Sequence, residues 1–116
     1  MTIQERRVGP VIILALSGRL VFTDGDALLR QRVDDLVSSG HVRLIIDLTD
    51  LDYVDSAGIG VLIAKYLSVR RKGGDLRLLR LSSRTHHALE ITHLLTIFEA
   101  FDTEEAAVAS FARALP

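Results

Sequence analysis

Hydrophobic residues follow two alternating patterns along the chain. Nearly continuous apolar runs, typical of buried strands, lie at 11–16, 42–48 and 76–81, with a shorter one at 96–101. Between them, apolar residues recur every three or four positions, as on one face of a helix. The helical segments are 27–39, 56–72, 83 to about 93, and one after 102–105. This alternation predicts an α/β domain with a mixed, mostly parallel sheet packed against about four helices.

Residues that favour helix ends support these boundaries. We expect Asp24 or Asp26 to cap the start of the first helix, and Gly40 suits its end. The pair Gly73-Gly74 ends the second helix in the same way. The sequence 102–105 resembles a capping arrangement in front of the last helix.

The segment from Asp47 to Gly60 carries the clearest chemical signal. Four carboxylates and no basic residue lie between Asp47 and Asp55, which the pattern indicates is an acidic turn after a strand. Ser56 then occupies the position expected of a helix N-cap. Gly58 and Gly60 follow in the first helical turns, where glycine costs up to about 1 kcal/mol. Two glycines at this place indicate close packing or the close approach of another molecule.

Two interpretations of Ser56 are open at this point. An Asp-Ser pair is common before a helix for structural reasons alone, and nearby glycines can serve only to pack the helix against the sheet. Alternatively, Ser56 is exposed on a rigid turn and accepts a phosphate, which adds about −1.5 to −2 charge. The helix N-terminus would tolerate that charge, and the neighbouring carboxylates would sharpen the change in surface potential. Such a site would switch partner binding without unfolding the domain.

Composition excludes several classes of function. Fourteen basic and fifteen acidic residues give a formal net charge of −1, which argues against direct nucleic-acid binding. The chain has no cysteine, so thiolate metal sites and cysteine nucleophiles are excluded. The longest apolar run, 11–16, is too short for a membrane span and is explained better by a strand than by a signal peptide. We expect one cytoplasmic domain, residues 1–116, that needs no cofactor.

Three other kinds of site are disfavoured by residue spacing. The nucleophile elbow of a serine hydrolase needs Gly-x-Ser-x-Gly, and Val54 occupies the place of its first glycine. Gly58 and Gly60 lack the third glycine of a dinucleotide fingerprint. His86 and His93 would share a helix face, but no further residue completes an obvious zinc ligand set.

Basic side chains concentrate in the second half of the chain. From Lys65 to Arg84 there are seven basic residues and one acid, Asp75. We interpret them as the solvated faces of a helix and a strand. The alternative is a docking patch for an acidic partner or for membrane headgroups.

The segment Tyr53-Val54-Asp55-Ser56-Ala57-Gly58-Ile59-Gly60-Val61-Leu62 resembles the signature of STAS domains, and specifically of bacterial anti-sigma factor antagonists. The resemblance extends over nearly the whole chain. Further matches occur in the family's order at 16–20, 45–48, 72–76, 91–94 and 97–98.

This resemblance implies a phosphorylation-switched binding protein and not an enzyme. In the family, the unphosphorylated protein binds an anti-sigma factor that is also an ATP-dependent serine kinase, and so frees a sigma factor. The kinase phosphorylates the serine of the Asp-Ser motif, the complex loosens, and a serine phosphatase reverses the modification. The implied acceptor here is Ser56. The implied partner surface around it comprises Asp24, Tyr53, Asp55, Ala57, Gly58 and Ile59.

The chain departs from the family pattern at two positions. Many relatives have a second serine where this chain has Ala57, so the acceptor is less ambiguous here. Many antagonists have an aspartate directly after Leu20, where this chain has Val21. We hypothesise that Asp24 or Asp26 takes over that acidic role. Some STAS domains with an Asp-Ser motif work in signalling scaffolds or transport complexes, which is the alternative function.

Overall fold

The computed structural model of the protein describes residues 1–83, 86, 87, 90 and 96–113. Its strands form one sheet in sequential order. They are β1 (Thr2–Val8), β2 (Val11–Leu20), β3 (Arg43–Val54), β4 (Asp75–Leu79) and β5 (Ala100–Phe101). Three helices are complete within the described residues: α1 (Asp26–Ser38), α2 (Ser56–Arg71) and α3 (Glu104–Arg113).

The sheet is mixed, as the sequence predicts. β1 pairs antiparallel with β2, whereas β2, β3, β4 and β5 pair parallel with one another in turn. The expected α/β class is therefore confirmed, with three complete helices in place of about four. The remaining predicted helix, 83 to about 93, lies mostly outside the described residues, as do Arg84 and His93. Helical backbone is described there at Ser83, His86, His87 and Glu90.

β1 was not predicted, because its sequence contains no apolar run. Most of its side chains are exposed, and it lies at the edge of the sheet. A two-residue turn at Gly9 and Pro10 joins it to β2, so that Val8 faces Val11. Pairing with β2 thus makes this segment a strand, which a local pattern of hydrophobicity does not reveal.

The predicted acidic turn after residue 48 is wrong, because β3 continues to Val54. β2 is also longer than predicted and ends at Leu20, so each strand supplies the other with backbone partners. Leu51 and Val54 are buried and anchor the extension, while Asp50 and Asp52 face solvent. Two register shifts against β2 place extra residues in β3, the usual consequence of β-bulges.

Two other strands are shorter than predicted. β4 ends at Leu79, because Arg80 has a left-handed backbone with φ of 56°. β5 includes only Ala100 and Phe101, whereas the predicted strand begins at residue 96.

The core occupies both faces of the sheet, since alternate strand residues point to opposite sides. One face packs against α1 and α2, and its buried side chains include Leu14, Ile46, Leu29, Val33 and Leu62. The other face packs against α3, and its buried side chains are Val11, Ile13, Ile45, Leu79, Ala107 and Phe111. Burial of each large aliphatic or aromatic side chain contributes about 1.5–3 kcal/mol, so this two-sided core holds the strand ends in fixed positions.

The glycines predicted to end helices do so by one mechanism. Gly40 follows α1 with φ of 88° and donates to Val37, while the next amide, His41, donates to Leu36. Gly73 has φ of 85° and terminates α2 in the same way. This pair of hydrogen bonds satisfies carbonyl groups at the helix end and requires a left-handed residue.

The expected caps at helix starts have mixed outcomes. Thr103 Oγ1 accepts from Ala106 N at 3.2 Å, which confirms the capping arrangement before α3. The expected cap of α1 by Asp24 or Asp26 is wrong, since the N-cap is Gly25 and no side chain caps this helix. The left-handed backbone of Gly25, with φ of 96°, turns the chain directly into the helix.

Candidate functional site

Ser56 lies at the junction where β3 ends and α2 begins. It is the first residue of α2, and the N-cap is Asp55, not Ser56 as the sequence suggested. Asp55 has extended backbone, and its Oδ1 accepts from Gly58 N at 2.9 Å. Because the carboxylate performs the capping, the serine hydroxyl is not needed for it. Ser56 is exposed, and within the described residues its hydroxyl has no hydrogen-bond partner.

The second oxygen of the Asp55 carboxylate reaches the loop between β2 and α1. Oδ2 accepts from Phe22 N at 3.0 Å, and Asp55 N donates to Leu20 O at 3.2 Å. The hydrogen bonds from Phe22 N and then Gly58 N lower the pKa of Asp55 below its ordinary value of 3.8. Asp55 is therefore a carboxylate at neutral pH that joins the start of α2 to this loop.

The loop at 21–25, which Asp55 holds through the Phe22 amide, presents an exposed aromatic side chain. Val21 and Asp24 exchange two backbone hydrogen bonds of 2.9 and 3.0 Å, which places Phe22 and Thr23 at the tip. The Phe22 side chain is 69% exposed, the largest exposure among the large hydrophobic residues reported for the described chain. Sequence reasoning missed Phe22. The available signal was one aromatic residue directly before the polar stretch 23–26.

Tyr53 extends the exposed surface along β3. Its side chain is 39% exposed, and the Arg19 guanidinium lies 5.9 Å from the ring centroid. Tyr53 and Arg19 are paired residues of adjacent strands, so the contact follows from the register. Phe22, Tyr53 and Ser56 together form what we call the junction surface.

The glycines of α2 have different roles. A Cβ atom on Gly58 would lie 2.2 Å from Leu20 O and 2.7 Å from Val54 Cγ2, which confirms the predicted close packing. Gly60 is exposed and a Cβ there would meet nothing within 4 Å, so nothing in the described chain requires glycine at this position.

The remaining residues of the predicted partner surface lie at different depths. Gly58 and Ile59 are buried, so they support the junction from beneath, and Ala57 is half-buried. Asp24 is exposed and accepts from the terminal amine of Met1 at 3.0 Å. Asp26 accepts from the Ala27 amide in its own helix at 2.8 Å. These contacts do not test the hypothesis that Asp24 or Asp26 takes the acidic role near Ser56.

The acidic segment is not one functional cluster. Asp47 is buried, and it accepts from Thr49 N at 3.0 Å and lies 3.8 Å from an Arg6 nitrogen. Asp50 and Asp52 are exposed on β3. Within the described part of the chain, no group of three or more histidine, cysteine, aspartate or glutamate residues is arranged to hold a metal. No helix described here is both long and apolar enough to cross a membrane.

The fold and the junction define a small α/β domain that exposes a serine at the start of a helix. The family model for the STAS domain matches residues 2–107. The relative named BtrV from Bordetella bronchiseptica is 31% identical over 116 residues, which cover 100% of this chain and 99% of that protein. The chain therefore belongs to the STAS domain family, in the group that contains the anti-sigma factor antagonists.

Other comparisons agree with this assignment. The anti-sigma-B factor antagonist of Listeria monocytogenes is 41% identical over 83 residues, covering 68% of this chain and 73% of that protein. The crystal structure of TM1081 from Thermotoga maritima has a TM-score of 0.89 at 24% identity, covering 96% of this chain and 95% of that one. The phosphorylated form of the Bacillus cell fate determinant SpoIIAA has a TM-score of 0.74 at 20% identity, covering 94% of this chain and 98% of that one.

We predict opposite effects of alanine at the two glycines. Gly58→Ala forces a methyl group against Leu20 O and should lower the free energy of unfolding by about 1–3 kcal/mol or more. Gly60→Ala meets open space and should raise it by about 0.5–1 kcal/mol, because alanine favours helix. Urea unfolding of both variants measures the difference, and equal stabilities would contradict the packing described for Gly58.

We also predict that Asp55 contributes to the acid sensitivity of the fold. A lowered pKa in the folded state stabilises the chain above the ordinary value of 3.8, and this contribution is lost as the pH falls through the lowered pKa. Asp55→Asn keeps a capping oxygen but removes the charge, so its stability should fall less steeply on acidification. Urea midpoints from neutral pH to below 3.8 test this. Asp52→Asn is the control, because the Asp52 carboxylate accepts no hydrogen bond from the described residues.

Proposed function

We propose that this chain is an anti-sigma factor antagonist that is controlled by phosphorylation of Ser56. The observation that carries the proposal is the exposed Ser56 hydroxyl, without a partner among the described residues, beside a capping carboxylate in a STAS domain. In its unphosphorylated form the protein binds an anti-sigma factor with serine kinase activity and frees a sigma factor. A serine phosphatase restores the active form. The protein is a cytoplasmic binding protein and not an enzyme.

The charges around Ser56 explain how one phosphate would switch binding. A phosphate adds about −1.5 to −2 charge next to the Asp55 carboxylate. Asp55 already holds the amides of Gly58 and Phe22, so the added charge meets a neighbouring anion as well as the helix N-terminus. A partner surface that accepts Ser56 as a neutral hydroxyl would be repelled, while the buried core would be unaffected.

The comparisons support this proposal by analogy. The Listeria monocytogenes relative is named as an anti-sigma-B factor antagonist, and the structure of SpoIIAA in its phosphorylated form has the same fold. A STAS subunit of a signalling scaffold or transport complex is the alternative. Affinity capture on the unmodified protein distinguishes the two, because recovery of transporter or scaffold subunits without a kinase would contradict the proposal.

We expect the cognate anti-sigma factor kinase and ATP to place one phosphate on Ser56. Peptide mapping by mass spectrometry identifies the site, and Ser56→Ala should abolish the modification. Thr23→Ala is the matched control, because Thr23 is another exposed hydroxyl at the same end of the molecule and should not be required. Phosphate on Thr23, or none with a kinase of confirmed activity, would refute the proposed switch.

Ser56→Asp should weaken binding to the anti-sigma factor about tenfold or more, which corresponds to about 1.4 kcal/mol. The free energy of unfolding should stay nearly constant, since Ser56 is exposed and its hydroxyl makes no hydrogen bond in the described structure. Ser39→Asp adds the same charge after the end of α1 and should leave affinity unchanged. Calorimetric titration measures both, and equal losses would indicate a general effect of net charge.

Phe22 should be an anchor for the partner. It is an aromatic side chain, 69% exposed, on a loop fixed by hydrogen bonds, and aromatic residues including phenylalanine are enriched in the cores of protein interfaces. Phe22→Ala should weaken the complex at least tenfold with little change in stability. Leu67→Ala removes another exposed apolar side chain, 45% exposed and far along α2, and should retain affinity. Similar losses in both variants would contradict a local anchor.

A further inference from the structure

Three cavities lie at the opposite end of the sheet from Ser56, where β3 and β4 begin. Their volumes are about 200, 180 and 150 Å³. Arg43, the first residue of β3, lines all three, so they meet at its side chain. We call them together the Arg43 cleft. β3 contains 12 residues, so roughly 35 Å of strand separates this cleft from the junction surface.

Positive charge is in excess in the Arg43 cleft. The charged residues that line it are four arginines and one carboxylate, namely Arg7, Arg43, Arg70, Arg77 and Asp75. Asp75 forms ion pairs with two of these arginines. Its Oδ2 lies 3.0 Å from one nitrogen of Arg77 and 3.5 Å from one nitrogen of Arg70. The Arg7 guanidinium contacts the ring of His41 at 3.2 Å and not a carboxylate. One anion therefore faces several cations.

Arg43 is the arginine of the cleft whose guanidinium has no partner among the described residues. The residue is half-buried, and its side chain makes no hydrogen bond or ion pair with any described residue. Arg77, by contrast, is buried, and its guanidinium donates to Asp75 and Ser110. A guanidinium without an anionic partner is available to a ligand, and its planar group matches the two oxygens of a carboxylate or phosphate.

An apolar wall adjoins Arg43 on one side. The smallest cavity is lined, besides Arg43, by Pro10, Val11, Val108, Phe111 and Ala112. A second cavity lined by Arg43 is also lined by Arg7 and His41. A ligand that filled both would have an anionic group next to an apolar body.

We propose that the Arg43 cleft binds a small organic oxyanion, a carboxylate or a phosphate ester. Its oxygens are held in a bidentate manner by Arg43, and its apolar part lies against Val108 and Phe111. This site is separate from the proposed phosphorylation of Ser56 and does not depend on it. The basic stretch from Lys65 onward contributes Arg70 and Arg77 to the cleft, while Lys65 pairs with Asp34 at 2.7 Å elsewhere.

Titration of the isotope-labelled protein with phenyl phosphate and with benzoate tests the site. At least one of them should give saturable amide shifts in nuclear magnetic resonance spectra at Arg43, Val108 and Phe111, and the stronger binder identifies the oxyanion. Inorganic phosphate, which lacks an apolar body, and benzyl alcohol, which lacks an anion, should bind at least tenfold more weakly. No saturable shift at these residues at millimolar concentrations, or equal binding of inorganic phosphate, would overturn the proposal.

Arg43→Met should weaken binding of the better probe at least tenfold. Arg43→Lys should weaken it less, because lysine keeps the charge but lacks the planar group that binds two oxygens at once. Arg30→Met is the control, since Arg30 is an exposed arginine of α1 and should leave the affinity unchanged. If Arg43→Met does not fold, the comparison of Arg43→Lys with Arg30→Lys decides. Unchanged affinity in the folded Arg43 variants would refute the assignment.

Discussion

The carboxylate of Asp55 is the constraint on which the candidate site depends. One oxygen caps α2 through the amide of Gly58, and the other holds the amide of Phe22 in a loop that lies 33 positions earlier in the chain. The same side chain thus sets where the helix begins and where the loop lies. Because both tasks use the carboxylate, Ser56 is left at the first helical position with a hydroxyl that the helix cap does not use.

Close packing beneath Asp55 makes this arrangement rigid. Gly58 brings the backbone of α2 against Leu20 O, at a separation that leaves no room for a methyl group. Leu20 O also accepts from Asp55 N, so the end of β2, the end of β3 and the start of α2 converge on a few backbone atoms. A rigid support of this kind suits an interaction that is regulated by charge, because adding charge changes the surface without moving it.

Local patterns predicted the elements that bury continuous apolar faces, namely β2, the first half of β3, and helices α1 and α2. They failed where pairing partners decide the structure. Residues 49–54 are a strand because β2 extends alongside them, and β1 is a strand because β2 offers it an edge. The Asp-Ser pair located the site, but either side chain can cap a helix, and only the geometry shows that Asp55 does so. The position of Phe22 depends on a hydrogen bond across the fold that its own neighbours in sequence do not indicate.

The positions of the two tyrosines have a practical consequence. The chain contains no tryptophan and only Tyr53 and Tyr66, so its intrinsic ultraviolet emission comes from these two rings. Tyr66 is packed edge-on against Phe98, with 5.2 Å between centroids, whereas Tyr53 lies partly in solvent at the junction with Arg19 over its ring. An event at the Ser56 end would alter the surroundings of Tyr53 and leave those of Tyr66 unchanged. The protein therefore carries an optical reporter at the junction surface, without any label.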